Sequence, residues 1–479
     1  MKMMVDGKYI DAKNNAVIEI RNSATGELVD TTPDATPEDM QNAIVAAQRG
    51  KKTWAAMPQR DRSKILSKCA DAIEAHYDEL VKMLTTEMGK PIPQTQYEIG
   101  VASEIFRGYA EMANHLFGQT MTQFQKGSER DVLFTRREPL GVVGCITPFN
   151  YPVELCYHKV AGSLAVGNAV IIKPSEENPM TILRVAQLCW ESGVPGDVLQ
   201  VVTGQGPVIG PVLASSKDVD AISFTGSTEV GLKIAALAGQ TLKHVSLELG
   251  GNDPFIVFED ADMEIAISEA VGGRLSNAGQ TCCAPKRFIV HSSVLEEFTQ
   301  GVIDRLKNVK AGCPLSEETE LGSLISPEAA ERVERQVEQT ISQGAKLALG
   351  GKRYDVTYFE PTVLTGVTRD MDIAKDMEVF GPVYPIIAFN TFDEDIEIAN
   401  NTQYGLNAGI ISKDFSKAMK TASMLESGSV IINGSGCYRN VDQPFGGVKM
   451  SGVGREGICC TLQAMSREKT FILKNSFVD

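Results

Sequence analysis

The chain has 479 residues, 43% of them hydrophobic and 22% charged, with a formal net charge of −15. This length and balance describe a soluble globular protein of two or three domains with a large core. The acidic balance, without a run of Lys and Arg, excludes nucleic acid or an anionic membrane as the main partner, so an anionic ligand must be met by a local basic pocket.

Residues 5 to 20 alternate apolar and polar around an Asp6-Gly7 turn and predict short strands. The segment Met1 to Ile10 carries Asp6 and does not read as a signal peptide, and no apolar run reaches membrane-spanning length. Thr36 followed by Pro37 predicts an N-cap and a helix to about Trp54. Amphipathic helices are predicted around Ile65 to Leu84, stopped by Gly89 and Pro91, and around Tyr97 to Leu116. Gln119 to Arg137 is polar and strand-like and predicts a protruding hairpin.

From Leu140 the pattern turns to strand, helix, strand. Short β-branched runs at 142–146, 169–172, 198–202, 221–224 and 245–247 alternate with helical stretches at 180–191, 208–214 and 230–238. That rhythm predicts parallel strands with crossover helices, a doubly wound, Rossmann-like α/β sheet, and such sheets bind ligands at the carboxyl ends of their strands. A second α/β rhythm starts near Asp253, with strands at 255–257, 288–290, 383–389, 408–411 and 430–432 and helices at 295–307 and 329–343. The end, Glu468 to Leu473, is strand-like and suited to pair with the 119–137 hairpin, within one subunit or across two.

Ten cysteines are scattered without a CxxC, and there are five histidines. A structural zinc site or a disulfide framework is not expected, no metal is assigned, and a reducing cytoplasm is the natural setting. Cys282 stands apart. It follows Asn277-Ala278-Gly279-Gln280-Thr281 on a helix-to-strand turn, among small and amide residues. Accessibility and nearby backbone N–H groups there favour the nucleophilic thiolate. The competing reading is a buried small hydrophobe.

Four more stretches carry chemistry. Ser223 to Gly231 joins a strand to a helix, where Gly226 admits a phosphate and Ser227 with free N–H groups holds it; the competing reading is an ordinary turn. Lys173 to Glu176 ends another strand, where a carboxylate can accept from ribose hydroxyls and would repel a 2′-phosphate; the competing reading is a solvated charged loop. Glu248 is an acid inside an apolar run, either paired or held as a base. Asn150, in Pro148-Phe149-Asn150-Tyr151-Pro152, offers an amide to a developing oxyanion; the competing reading is a turn asparagine.

Together PFNYP, KPSE, FTGST, LELGG, NAGQTC, EVFGP and PFGGVKMSG occur in the order found in the aldehyde dehydrogenase superfamily, and the chain resembles that family over nearly its whole length. The resemblance implies a dinucleotide-binding domain from 1–118 and 140–247, a catalytic domain from 248–446, and a small β bridging element from 119–139 and 447–479. It implies Cys282 as nucleophile, Asn150 and the Cys282 N–H as oxyanion donors, and Glu248 as the base that activates water. NAD is the implied cofactor, held by Ile146, Thr147, Pro148, Lys173, Ser175, Glu176, Gly206, Phe224, Gly226, Ser227, Leu249, Gly250, Glu378 and Phe380. Glu176 favours NAD, while Lys173 leaves NADP open. Cys283 is assigned to packing.

For the substrate, the resemblance points to Arg107, His158, Thr281, Arg439 and Phe445. Charged groups in a tunnel imply a charged substrate. The segment 433–439 is similar to the branch of lactaldehyde, phosphonoacetaldehyde, non-phosphorylating glyceraldehyde-3-phosphate and succinate semialdehyde dehydrogenases. Thr281, where some phosphate-recognising members carry arginine, argues against a doubly charged phosphate. The expectation is a short aldehyde with one anionic or hydroxylated end: succinate semialdehyde, a sulfo- or phosphonoacetaldehyde, or lactaldehyde. Arg107 and Arg439 as structural ion pairs are the competing reading. A CoA-acylating aldehyde dehydrogenase and a non-catalytic nucleotide-binding protein are the alternatives in function. A homodimer or homotetramer is implied, with the bridging strand completing a neighbour's sheet.

Overall fold

The structure is a computed structural model that describes residues 1–122 and 125–476. Positions 123 and 124 of the expected hairpin and the last three of the expected 447–479 segment lie outside the described residues.

The first rhythm folds as one sheet. Its five central strands run parallel in the spatial order Leu199–Val201, Ala169–Lys173, Val142–Ile146, Ala221–Thr225, His244–Glu248. Val142–Ile146 comes first in sequence but lies in the middle, so the chain winds outward in both directions from it. The carboxyl end of that strand is the topological switch point, where neighbouring crossovers part and leave a crevice. All residues of the three central strands are buried because helices cover both faces. Met3–Val5 and Lys8–Ile10 extend one edge as a hairpin, turned by Asp6 and Gly7 at φ 54° and 73°.

The Thr36 cap forms with Asp39 as its reciprocal partner, and the helix runs Pro37–Ala56. The single helix expected from Ile65 to Leu84 is two, Gln59–Ala75 and Tyr77–Met88, broken at His76. No Gly or Pro marks that break, so periodicity ran through it. Ile92–Met112 follows and packs on Pro152–Val166.

The second rhythm forms another mostly parallel sheet, in the order Lys346–Leu349, Thr362–Val367, Val383–Phe389, Arg287–His291, Pro254–Val257, Asn407–Ile411, Ser429–Ile432. Thr362–Val367 was not legible beforehand: it is bulged, with Gly366 at φ 66°. Ser466–Leu473 pairs antiparallel with Val132–Pro139 over its full length within the subunit, and Phe134 stacks on Phe471 with centroids 5.1 Å apart. Of the segment from 447, only this strand joins the three-stranded arm. Gly452–Val453 pairs with His244–Glu248 in the first sheet, and Ile458–Ala464 packs on Pro152–Val166.

The two large sheets face the site with opposite ends. Glu248 is the last residue of its strand, and Cys282 precedes the strand Arg287–His291. The crevice therefore lies between carboxyl ends of the first sheet and amino ends of the second.

Candidate active site

The turn before Cys282 is built by backbone conformation. After the helix Met263–Leu275, Asn277, Ala278 and Gly279 take φ 49°, 53° and 78°, three successive left-handed residues. Such a conformation costs a non-glycine residue roughly 1–2 kcal/mol, so the turn needs holding. Gln94 Oε1 accepts the Asn277 N–H at 2.7 Å, and Gln280 Oε1 accepts the Ile325 N–H at 2.9 Å. Asn277 Nδ2 donates to the Asn150 carbonyl at 2.8 Å, and Asn150 Nδ2 donates to the Gln280 carbonyl at 3.0 Å. A Cβ at Gly279 would fall 2.2 Å from the Gly381 carbonyl oxygen. The amides of NAGQ thus hold the turn and tie it to the Asn150 loop.

Cys282 is partly exposed, while Cys283 is buried with Leu406 and Phe445 in a small apolar cluster. That is the packing role expected of Cys283. Glu248 is 4% exposed, and neither carboxylate oxygen has a hydrogen-bond partner among the described residues. A Cβ at Gly446 would sit 2.8 Å from its Oε1, so Glu248 faces the step after Phe445. Cys282 packs against the cluster that contains Phe445. The Cys282 thiol is near enough to Glu248 to act on its carboxyl, and Asn150 is bound to the turn behind the thiol.

One expectation is corrected here. The turn does not favour the thiolate: the Cys283 hydrogen bond, and then burial, push the Cys282 thiol well above its ordinary range, with Lys286 only partly opposing. The left-handed turn is not a helix N-terminus, and Lys286 Nζ is spent on the Cys282 carbonyl at 2.5 Å and on Glu378 at 3.4 Å. Burial also raises Glu248 well above the carboxylate range, with Glu456 adding to the push. A buried carboxylate without a partner is a strong proton acceptor once ionised.

The crevice at the switch point fits a dinucleotide. Thr147 and Thr225, at the ends of adjacent strands, have buried hydroxyls without partners among the described residues. Ile146 and Pro148 flank Thr147, and the Thr147 N–H donates to the Lys173 carbonyl at 3.1 Å. Lys173 Nζ pairs with Glu176 at 2.6 Å, and Ser175 lies between them. A Cβ at Gly206 would lie 3.5 Å from both charged heads, so this glycine keeps their pocket open. Against the upward push of burial, Lys173 holds Glu176 below its usual range, hence ionised. Gly226 donates to the Glu248 carbonyl at 3.1 Å, with the Phe224 ring beneath it. Ser227 caps its own helix by accepting from the Val230 N–H, so its hydroxyl oxygen is already engaged. Leu249 fills the gap over Gly231, where a Cβ would sit 2.4 Å from its methyl. Glu378 accepts the Gly251 N–H at 3.1 Å and closely approaches Gly250, and Phe380 meets Phe149 edge to face at 6.0 Å.

Of the substrate residues, the structure gathers some and disperses others. Arg439 is 11% exposed, lies 4.0 Å over the Phe445 ring, and pairs with Glu456 at 3.0 Å and Glu154 at 3.7 Å. Its Nη1 has no partner among the described residues. Thr281 is buried, with its hydroxyl 3.3 Å from the Tyr151 hydroxyl. Arg107 is corrected: it projects outward, 44% exposed, and pairs with Asp71 and Glu74 of the neighbouring helix. The resemblance placed this helix beside the tunnel but did not fix which face residue 107 occupied. His158 is also corrected as a charged group. It is fully buried, 3.2 Å from the Tyr109 hydroxyl, and burial pushes it down to about 3, so it is neutral.

Sequence reading missed the buried charges around these residues. Lys159 pairs with Glu456 at 2.7 Å, and Glu154 lies beside Arg439. Burial raises Glu154 to about 7, whereas Lys159, His158 and Arg439 overcome burial to hold Glu456 at about 2. A signal was present: Glu154, His158 and Lys159 interrupt an otherwise apolar helix.

A doubly wound sheet with a crevice at its switch point, opening onto a thiol, a carboxylate and an amide, is the architecture of a nucleotide-dependent oxidoreductase. The aldehyde dehydrogenase family profile matches residues 9–471. A lactaldehyde dehydrogenase of Methanococcus maripaludis is 37% identical over 99% of this chain and 100% of its own length. A mitochondrial succinate-semialdehyde dehydrogenase of Oryza sativa is 38% identical over 95% of this chain and 86% of its own. The crystal structure of Staphylococcus aureus betaine aldehyde dehydrogenase in complex with NAD+ superposes with a TM-score of 0.96, at 34% identity, covering 100% of this chain and 95% of that one. The chain belongs to the aldehyde dehydrogenase family.

Proposed function

We propose that this protein oxidises a short aldehyde with one anionic or hydroxylated end to its acid, with NAD preferred, through a thioester on Cys282. The observation that carries the reading is a partly exposed thiol near a buried carboxylate that has no hydrogen-bond partner among the described residues, with an amide tied to the thiol's own turn. Bound in the crevice, the nicotinamide accepts the hydride that the aldehyde carbon loses. Ionised Glu248 draws the proton from Cys282, directly or through water, and the thiolate attacks the carbonyl carbon. Asn150 Nδ2, released from the Gln280 carbonyl, and the Cys282 N–H stabilise the oxyanion of the thiohemiacetal. After oxidation Glu248 releases that proton to solvent and takes another from water, whose oxygen attacks the thioester carbon; the carbon–sulfur bond breaks, the acid leaves, and Cys282 recovers the proton from Glu248. Glu378 and Phe380 hold the nicotinamide end; Lys173 and Glu176 hold the adenosine end, where the ionised Glu176 repels a 2′-phosphate.

Arg439 is the residue suited to the far end of the substrate. Its unpartnered Nη1 lies one aromatic ring from the cysteines. The two acids beside it leave capacity for a single negative charge or a hydroxyl. The relatives named lactaldehyde dehydrogenase and succinate-semialdehyde dehydrogenase agree with this choice. The unpaired Glu248 favours water over CoA as the acceptor of the acyl group. Ser429–Ile432 forms one edge of the second sheet, so an antiparallel arm from a second copy would complete it, giving a dimer or a dimer of dimers. Among the described residues no helix is long and apolar enough to cross a membrane, and a cytoplasmic setting suits ten unbridged cysteines.

The test is steady-state kinetics with succinate semialdehyde, lactaldehyde and uncharged aldehydes of equal length, each with NAD and NADP. A tenfold or greater advantage in kcat/KM for the anionic or hydroxylated aldehydes, lost in Arg439→Met, is expected. Equal constants across the series, or NADH formed only when CoA is added, would defeat the reading.

A further inference from the structure

Outside the reacting groups, Lys90 and Glu98 form a buried charged pair beside the site. Both are fully buried, and Lys90 Nζ lies 2.5 Å from Glu98 Oε2. A buried ion pair that served stability alone could be replaced by apolar side chains without loss. This pair has further partners. Glu98 Oε1 accepts the backbone N–H groups of Val153 at 2.9 Å and Glu154 at 3.3 Å. These are orphan donors in the first turn of the helix Pro152–Val166, whose N-cap residue Tyr151 provides no side-chain cap. Lys90 Nζ lies 3.6 Å from the centre of the Tyr151 ring. The Tyr151 hydroxyl reaches Ser276 at 2.8 Å and Thr281 at 3.3 Å, on either side of the left-handed turn.

Gln94 completes the arrangement. It stands four residues before Glu98 on the helix Ile92–Met112, hence on the same face. Its side-chain oxygen accepts the Asn277 N–H. One helix face thus grips the nucleophile turn through Gln94 and the Asn150 loop through Glu98.

We infer that Lys90 and Glu98, with Gln94, are positioning residues that fix Asn150 relative to Cys282 and so set the rate of acyl formation. The inference rests on the proposed role of Asn150 as oxyanion donor. Glu98 supplies the acceptor for the helix start, Lys90 balances its charge and braces Tyr151, and Gln94 holds the other wall. A misplacement near 1 Å of a reacting group costs about 100-fold in rate.

The experiment measures single-turnover NADH formation at saturating aldehyde and NAD, per titratable Cys282 thiol, in three variants. Lys90→Met/Glu98→Leu removes charge and acceptor together; Lys90→Met/Glu98→Gln keeps an uncharged acceptor for Val153 and Glu154; Gln94→Leu changes a partly exposed residue that folding tolerates. The apolar double variant is expected to lose about 100-fold in rate and Gln94→Leu about 10-fold. The amide double variant should stay within about fivefold of wild type, and NAD affinity within about twofold in all three. A purely structural role would lower the melting temperature or the number of titratable thiols and leave the rate per thiol unchanged. An unchanged rate in a folded apolar double variant, or in Gln94→Leu if the double variant does not fold, overturns the inference. Asn150→Ala separates the two levels. If it is slow while the clamp variants are fast, the clamp alone has failed; if it is fast as well, the oxyanion role has failed and the clamp loses its purpose.

Discussion

The cofactor side and the reaction side of this crevice treat buried charge in opposite ways. At the adenosine end Lys173 and Glu176 face each other at 2.6 Å, and the carboxylate is held ionised. At the proposed reacting end the Glu248 carboxylate has no hydrogen-bond partner among the described residues, and both it and the Cys282 thiol are pushed toward their neutral forms. Pairing fixes a charge for recognition; leaving a group unpaired keeps its proton exchangeable for chemistry. The contrast also orders what should happen when each part is altered.

The largest effect belongs to the unpaired thiol. Cys282→Ser should lower NADH formation by about 10⁴-fold or more while NAD still binds, as kinetics and a binding titration would show. A Cys282→Ser protein with near-normal turnover would move the chemistry elsewhere. Glu248→Gln comes next. Its kcat should fall about 10²–10³-fold. With thiol deprotonation compensated at high pH, a stoichiometric burst of NADH should then precede slow turnover, because deacylation loses its base. Loss of the burst at every pH would instead place Glu248 only in the first step.

His158 extends the comparison to stability. It is held neutral down to about 3 in the folded protein, whereas the unfolded chain protonates it near 6.5. Below pH 6.5 the unfolded state therefore binds the extra proton, and stability present above 6.5 is lost as pH falls. Between pH 7 and pH 4 His158→Asn should lose about 3 kcal/mol less than wild type in denaturant titrations. Groups that burial raises to about 7, such as Glu154 and Asp253, tilt both curves the other way and cancel in the difference. Equal slopes would mean that His158 takes up its proton in the folded state.

Smaller effects are expected from charges that are already satisfied. Glu176→Gln removes the repulsion of a 2′-phosphate and should improve the kcat/KM ratio of NADP to NAD by about tenfold. Arg107→Ala should leave kcat/KM unchanged, and stability within about 0.5 kcal/mol, because its ion pairs are exposed and screened. A raised KM for an anionic aldehyde in Arg107→Ala would restore it to the substrate site.

Much of the architecture was legible in advance. The run of short apolar strands with intervening helices gave the doubly wound sheet, since burial on both faces demands β-branched runs. Thr36, Pro37 and the Asp6-Gly7 turn act through local backbone chemistry and were read correctly. The break at His76 and the bulged strand Thr362–Val367 were not, because neither carries a local marker stronger than the periodicity around it.

Within the site the division follows range. Residue type and motif order alone picked out Cys282, Glu248, Asn150, Lys173 and Glu176, because few side chains can perform those tasks. Tertiary structure alone decided which charges meet. Arg107 and Arg439 look alike in the linear chain, yet one pairs in solvent and the other lies over Phe445. Glu456 is far along the chain from Lys159, and Glu98 from Val153, so no local pattern announces either contact. The physical reason is that desolvation and Coulomb attraction depend on distances in space, which composition and spacing do not contain.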